Sequence, residues 1–182
     1  IAALKSGKIA IRDSTCPAIH AGLQASEKGL PFMPLRGIIG SDLMRVREDW
    51  KESENPFTQD DRIVVLPALK PDIALFHAPF ADRNGNIWIG RRRELVTMSH
   101  AARGTLVTVE EIRDIDLMQD EALAGGSLPA LYVTAIAEAP NGAWPLGLAG
   151  QYEPDAMHLA NYAKQARSSE GFEEYLAEHC AA

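Results

Sequence analysis

Short apolar runs alternate along the chain with amphipathic segments, the pattern of helices laid over a mostly parallel sheet. Strands are expected over Lys8 to Arg12, Arg62 to Leu66, Asp72 to His77 and Thr105 to Val109, most of them rich in Ile and Val. Ile73-Ala74-Leu75-Phe76 is apolar throughout, as in a strand covered on both faces, and Leu106 to Val109 reads as a buried central strand. Helices are expected over Pro17 to Lys28, Glu94 to Arg103, Asp155 to Arg167 and Glu170 to His179. For the first, Ser14 and Thr15 can cap, Pro17 suits the opening turn and Gly29 supplies a stop. The last two carry apolar stripes, Leu159, Tyr162 and Ala163 on one and Phe172, Tyr175 and Leu176 on the other. The expected class is α/β, a single domain over 1–182 built on an open, mostly parallel sheet flanked by helices.

Between strands, Asp82-Arg83-Asn84-Gly85-Asn86 contains the Asn-Gly pair that tolerates positive φ at both central turn positions, so a tight hairpin should join Phe80 to Ile87. Pro and Gly gather at Gly29 to Gly40 and at Pro140 to Gly150, and the polar, acidic stretch from Trp50 to Asp61 reads as a surface excursion. There is no internal repeat and no low-complexity tract.

Composition narrows the function classes. With 46% hydrophobic and 24% charged residues the chain matches an ordinary globular domain. Eighteen Lys and Arg against 25 Asp and Glu give a net charge of −7, the wrong balance for gripping a nucleic-acid backbone. Apolar stretches fall short of the roughly 20 residues that span a membrane, and the first residues do not form a signal peptide, so a cytoplasmic protein without membrane contact is expected. Cys16 and Cys180 lie at opposite ends with no metal-ligand spacing, which indicates neither a disulfide framework nor a zinc site. The chain opens on Ile1, so processing or truncation is expected to have removed what lay before it.

The segment from Gly29 to Asp42 holds the most distinctive chemistry. Pro31 and Pro34 fix the backbone ahead of Arg36, Gly37 and Gly40 allow close backbone approach, and Ser41 and Asp42 can cap a following helix. An apolar lining with one Arg suits a small acid or thioester, the guanidinium forking a carboxylate; a rigid turn with a structural Arg is the plainer alternative.

Read in order, Leu-Pro-Phe-Met-Pro-Leu-Arg-Gly-x-x-Gly-Ser-Asp (30–42), Asn55-Pro56-Phe57, Val65 to His77, Ala81-Asp82-x-x-Gly85-Asn86 and Val107 to Ile112 resemble the alpha subunit of family I CoA-transferases, the glutaconate CoA-transferase branch most of all. The tail from Tyr152 to Leu176 resembles the family's closing helices. The resemblance implies a CoA-transferase type of α/β fold in which this chain is the C-terminal two thirds of the family domain, lacking an opening on the order of 80 residues that includes a glycine-rich loop. It implies a partner beta subunit that carries the nucleophilic Glu, and acyl-CoA and carboxylic acid substrates. No cofactor is implied beyond coenzyme A, itself a substrate. Phe32, Arg36, Gly37, Gly40 and Ser41 would then shape the acyl end of the pocket.

A related group of acyl-CoA ring-opening hydrolases resembles the same fold and places a catalytic Glu shortly before the Leu-Pro-Phe motif. That position falls at or beside Cys16, where no Glu stands; Cys16 with His20 one turn along is a candidate nucleophile, packing being the alternative. A non-catalytic binding or regulatory subunit is the third reading. Glu110 and Glu111 end an apolar strand, where open sheets face their ligand crevice; adjacent residues point to opposite faces, so at most one can reach it and the other should pair with a base. Arg91, Arg92 and Arg93 precede a helix start, where positive charge opposes the helix dipole unless an anion sits there. CoA phosphates, a solvated turn or salt bridges to an acidic partner are the possibilities. His77 is expected to be a satisfied core or crevice histidine, and Trp88 and Trp144 core or interface aromatics.

Overall fold

In the computed structural model, which describes residues 2–180, the local signals act largely as expected. Helix α1 spans Ala2–Lys5 and α2 Cys16–Glu27; Thr15 caps α2 by accepting the Ala18 N–H at 3.3 Å, and Gly29, at φ +67°, turns the chain away after the Lys28 C-cap. Strand β1 (Phe32–Leu35), α3 (Asp42–Val46), β2 (Lys51–Glu54) and β3 (Arg62–Pro67) follow. Then come β4 (Ile73–Asp82), β5 (Ile87–Trp88), α4 (Glu94–Ala101), β6 (Gly104–Arg113), α5 (Glu121–Ala124), β7 (Ser127–Leu128), a 3-10 turn at Ala130–Tyr132 and β8 (Ala135–Glu138). The helices α6 (Ala156–Gln165) and α7 (Ser169–His179) close the described chain, capped by Asp155 and Ser168.

The strands form two sheets. One is antiparallel, in the order β1-β3-β2; the other is mixed, in the order β7-β5-β4-β6-β8, with β4, β6 and β8 parallel and β5 and β7 antiparallel. The class is α/β with flanking helices, but parallel pairing is confined to three strands: β5 returns from β4 through a tight hairpin too short for a crossover helix, and β7 pairs antiparallel with β5. Helix α2 packs against β1, β3 and α4. One core lies against the mixed sheet (Ala78, Ala81, Ile87, Val107, Val109, Leu128) and a second under the antiparallel one (Ala18, Ala21, Trp50, Val64, Leu66).

Several expectations change. Lys8 to Arg12 is no strand: it pairs with no strand among the described residues, its first two N–H groups turning back to Ala3 O, and Ile9 and Ile11 are exposed, so its alternating pattern has no sheet edge to join. Trp50 is buried, and Lys51–Glu54 forms an edge strand of the antiparallel sheet, leaving only Asn55 to Asp61 as a surface loop. The hairpin after β4 has three loop residues, closed by the Asp82 N–H on Asn86 O, and only Gly85 takes positive φ. The strand over Asp72 to His77 runs on to Asp82, since the Asp82 carboxylate, itself buried, accepts the N–H groups of Asn84, Asn86 and Leu117 and fixes the turn.

The two closing helices meet as their stripes suggest, with the Tyr162 and Tyr175 rings 4.7 Å apart. The amino-terminal half of one face of the parallel strands, including Ile73, Leu75 and Leu106, is exposed. Among the described residues no helix is long and apolar enough to cross a membrane, and no group of His, Cys, Asp and Glu is arranged to hold a metal ion.

Candidate functional site

The Gly29 to Asp42 segment forms a wall of an open cleft. Strand β1 pairs antiparallel with the central β3, and as an edge strand it tolerates Pro34. Phe32, Pro34 and Leu35 of β1, Ile63 and Val65 of β3 and Phe57 of the loop between β2 and β3 line a cleft of about 790 Å³, together with Arg36 and Gly37. A side chain at Gly37 would meet nothing within 4 Å. Gly40, at φ +75°, and Ser41 lie beyond the cleft in the turn toward α3. Ser41 occupies the N-cap position of α3 without capping it; its hydroxyl donates to Ile38 O at 2.7 Å, and Asp42 pairs with Arg45. The cap is lost because the hydroxyl closes the preceding turn.

Arg36 forks an internal carboxylate, that of Asp61, which is the contact of a structural Arg. The Asn55 amide donates to the same carboxylate at 2.6 Å, and the Arg36 fork, followed by Asn55, holds the Asp61 pKa below the usual carboxylate range. Neither partner was apparent from the sequence, because Asp61 reaches Arg36 only through the antiparallel return of β3 along β1.

A second polar centre lies on the face of the parallel strands. His77 on β4 is in register with Thr108 on β6, and Glu110 stands two residues further along the same face. His77 Nε2 is 2.6 Å from Glu110 Oε1 and its Nδ1 is 2.8 Å from the Thr108 hydroxyl. With Glu110 ionised, Nε2 donates to it, and Nδ1 shares a hydrogen bond with the Thr108 hydroxyl. The Tyr152 hydroxyl also donates to Glu110 Oε1 at 2.7 Å, and the Asn141 N–H to Oε2 at 2.7 Å.

Burial by itself raises the Glu110 pKa, but the bonds from Tyr152, Asn141 and His77 outweigh it and leave it below the ordinary value. Burial and the neighbouring carboxylate push the Tyr152 phenol up, so it stays a donor. Glu111, on the other face, pairs with Arg113 at 2.5 Å, in accord with the expected division between the two carboxylates. His77 is a satisfied crevice histidine, as expected.

The remaining candidates stay apart. Cys16 and His20 are exposed, and no hydrogen bond joins them among the described residues. Arg93 takes the N-cap position of α4 and donates to Gly125 O at 2.9 Å, while Arg91 and Arg92 lie in the turn before it and do not line the cleft. Trp88 stacks on Phe80 with centroids 5.9 Å apart, and Trp144, half exposed, packs at a tilt on His158 with centroids 4.2 Å apart.

No protein-family model matches the chain. It is 30% identical over 192 residues to the A subunit of glutaconate CoA-transferase from Acidaminococcus fermentans, covering 96% of this chain and 59% of that protein. It is 35% identical over 159 residues to the A subunit of 3-oxoadipate CoA-transferase from Pseudomonas knackmussii, covering 85% and 54%. The crystal structure of the Acidaminococcus fermentans glutaconate CoA-transferase matches with a TM-score of 0.84 at 28% identity, over 97% of this chain and 61% of the other.

The chain belongs to the family of CoA-transferase A subunits.

It spans about half to three fifths of the length of the curated relatives it matches. Within this family the similarity extends to proteins of other stated activity. A cholesterol ring-cleaving hydrolase IpdA subunit of Rhodococcus jostii is 27% identical over 94% of this chain and 61% of its own. The crystal structure of a variant of the decarboxylase AibA/AibB matches with a TM-score of 0.80 at 35% identity, over 97% and 65%.

Proposed function

We propose that this chain, together with a partner beta subunit, works as a CoA-transferase that moves CoA between carboxylic acids. The observation that carries the reading is the largely apolar cleft walled by the Leu30 to Asp42 motif, with Arg36 in its lining, in a chain of the CoA-transferase family. Phe32, Arg36 and Gly37 would bound the acyl group, and Gly40 and Ser41 would set the turn that aims Arg36. The beta subunit would supply a glutamate.

In that scheme the glutamate carboxylate attacks the thioester carbonyl and expels CoA thiolate, leaving an acyl-glutamyl anhydride. The thiolate then attacks the glutamyl carbonyl and releases the first acid as its carboxylate, giving a glutamyl-CoA thioester. The acceptor acid reverses both steps. Backbone N–H groups of both subunits would hold the developing oxyanion. Arg91 and Arg92 remain our candidates for CoA phosphate contacts. Treating the assembled complex with acyl-CoA and then borohydride should trap the glutamyl thioester; an active complex that yields no reduced adduct rules the mechanism out.

A second reading, hydrolytic cleavage of a cyclic acyl-CoA, is favoured by the extent of the match to ring-cleaving hydrolase subunits, 94% of this chain. A hydrolase consumes its acyl-CoA with no acceptor acid present, whereas a transferase stalls, so product analysis without acceptor separates the two.

A further inference from the structure

Arg36 brings a cation to a largely apolar cleft, and its charge is already answered. Both terminal nitrogens of its guanidinium donate to Asp61. The Asp61 side chain is 17% exposed against 63% for Arg36, so the carboxylate lies beneath the guanidinium and the guanidinium faces the cleft. Asp61 is itself fixed: the Asn55 amide donates to its carboxylate at 2.6 Å, and its backbone carbonyl accepts the Asn55 N–H at 2.8 Å. Glu54, exposed on the cleft wall, adds a second negative charge.

We infer that Asp61 is a specificity-determining residue, an internal carboxylate that competes with a second carboxylate of the substrate for Arg36 and biases the cleft toward acyl groups without one. The inference rests on the reading of this cleft as the acyl site. An acyl group with an uncharged tail meets Phe32, Leu35, Phe57, Ile63 and Val65 and loses nothing to Asp61. One with a terminal carboxylate must displace Asp61 from a preformed two-point fork, or lie beside it against like charge with its own hydration stripped. The discrimination is therefore set by a residue the substrate need not touch.

The test compares glutarate with valerate, acceptor acids of equal carbon number, in the assembled two-subunit enzyme. In D61N the side chain keeps its size and one acceptor oxygen but loses its charge, and the ratio of kcat/KM for glutarate over valerate should rise about tenfold, mostly through KM. If Asp61 merely staples the loop, both acids suffer alike, and an unchanged or lower ratio overturns the inference. In R36Q the ratio should fall below that of the unaltered enzyme, and adding D61N should not restore it. A ratio that responds to R36Q but not to D61N removes the role of Asp61 alone. If R36Q alters KM for neither acid, or the complex turns over neither, the cleft is not the acyl site and both readings fall.

Discussion

His77 and Glu110 stand 2.6 Å apart across neighbouring parallel strands although 33 residues separate them in the chain. The contact follows from the β4–β6 register, which sets His77 beside Thr108 and so brings Glu110 within reach one step further along the same face. Over this pair the Pro140 to Gly150 loop returns, contributing the Asn141 N–H, and beyond it the Tyr152 hydroxyl. Glu110 thus accepts three hydrogen bonds, from His77, Tyr152 and Asn141. It anchors the loop to the sheet and does not present a free carboxylate.

Replacing Glu110 with Gln should loosen that anchor. One oxygen remains, but the amide nitrogen is a donor facing donors, so at least one charge-assisted bond is lost, worth about 1.5–3 kcal/mol. For a chain of this size the thermal midpoint should drop by about 4–8 °C. Circular dichroism melting would check it, and an unaltered midpoint would show that the loop is held by other contacts.

Acid should act through the same residue. Because the folded-state pKa of Glu110 lies below its ordinary value, its contribution is complete above the unfolded value of about 4.3 and fades as pH falls through the folded one. Asp82 and Asp49 are lowered too and act in the same direction. Urea midpoints should be nearly level from pH 7 to 5 with respect to these groups and decline below pH 4, and in E110Q that acid decline should be shallower.

Gly142 has no room for a side chain. A Cβ there would stand 2.7 Å from Ala139 O and 2.8 Å from His77 Cε1, so Gly142→Ala must move the loop or the ring, at about 1–3 kcal/mol. Protease nicking between residues 139 and 152 should speed up in this variant and the His77 ring resonances should shift. An equivalent substitution at Gly37, where nothing lies within 4 Å, should leave both unchanged.

Asp82 is the most sensitive position for stability. It is 2% exposed and accepts the N–H groups of Asn84, Asn86 and Leu117 together with the Asn86 amide. Asp82→Leu would leave the Asn86 and Leu117 donors buried without acceptors, a loss above about 3 kcal/mol. The expected outcome is little soluble folded protein and a lower unfolding midpoint in whatever is recovered.

The order of residues along the chain is enough to specify the parts that depend on near neighbours. Thr15, Pro17 and Gly29 bracket α2, the apolar stripes of α6 and α7 face one another, and the apolar run at 73–76 opens β4. It also carries the family, through the motif from Leu30 to Asp42 and the spacing of those after it. Lys8 to Arg12 shows the limit, for an alternating pattern becomes a strand only where an edge lies beside it. Which carboxylate meets which base is settled by the packed fold. Asp61 reaches Arg36, and Tyr152 and Asn141 reach Glu110, across separations of 25, 42 and 31 residues. Such pairings depend on strand register and on where a loop lands, and no local preference along the chain encodes either.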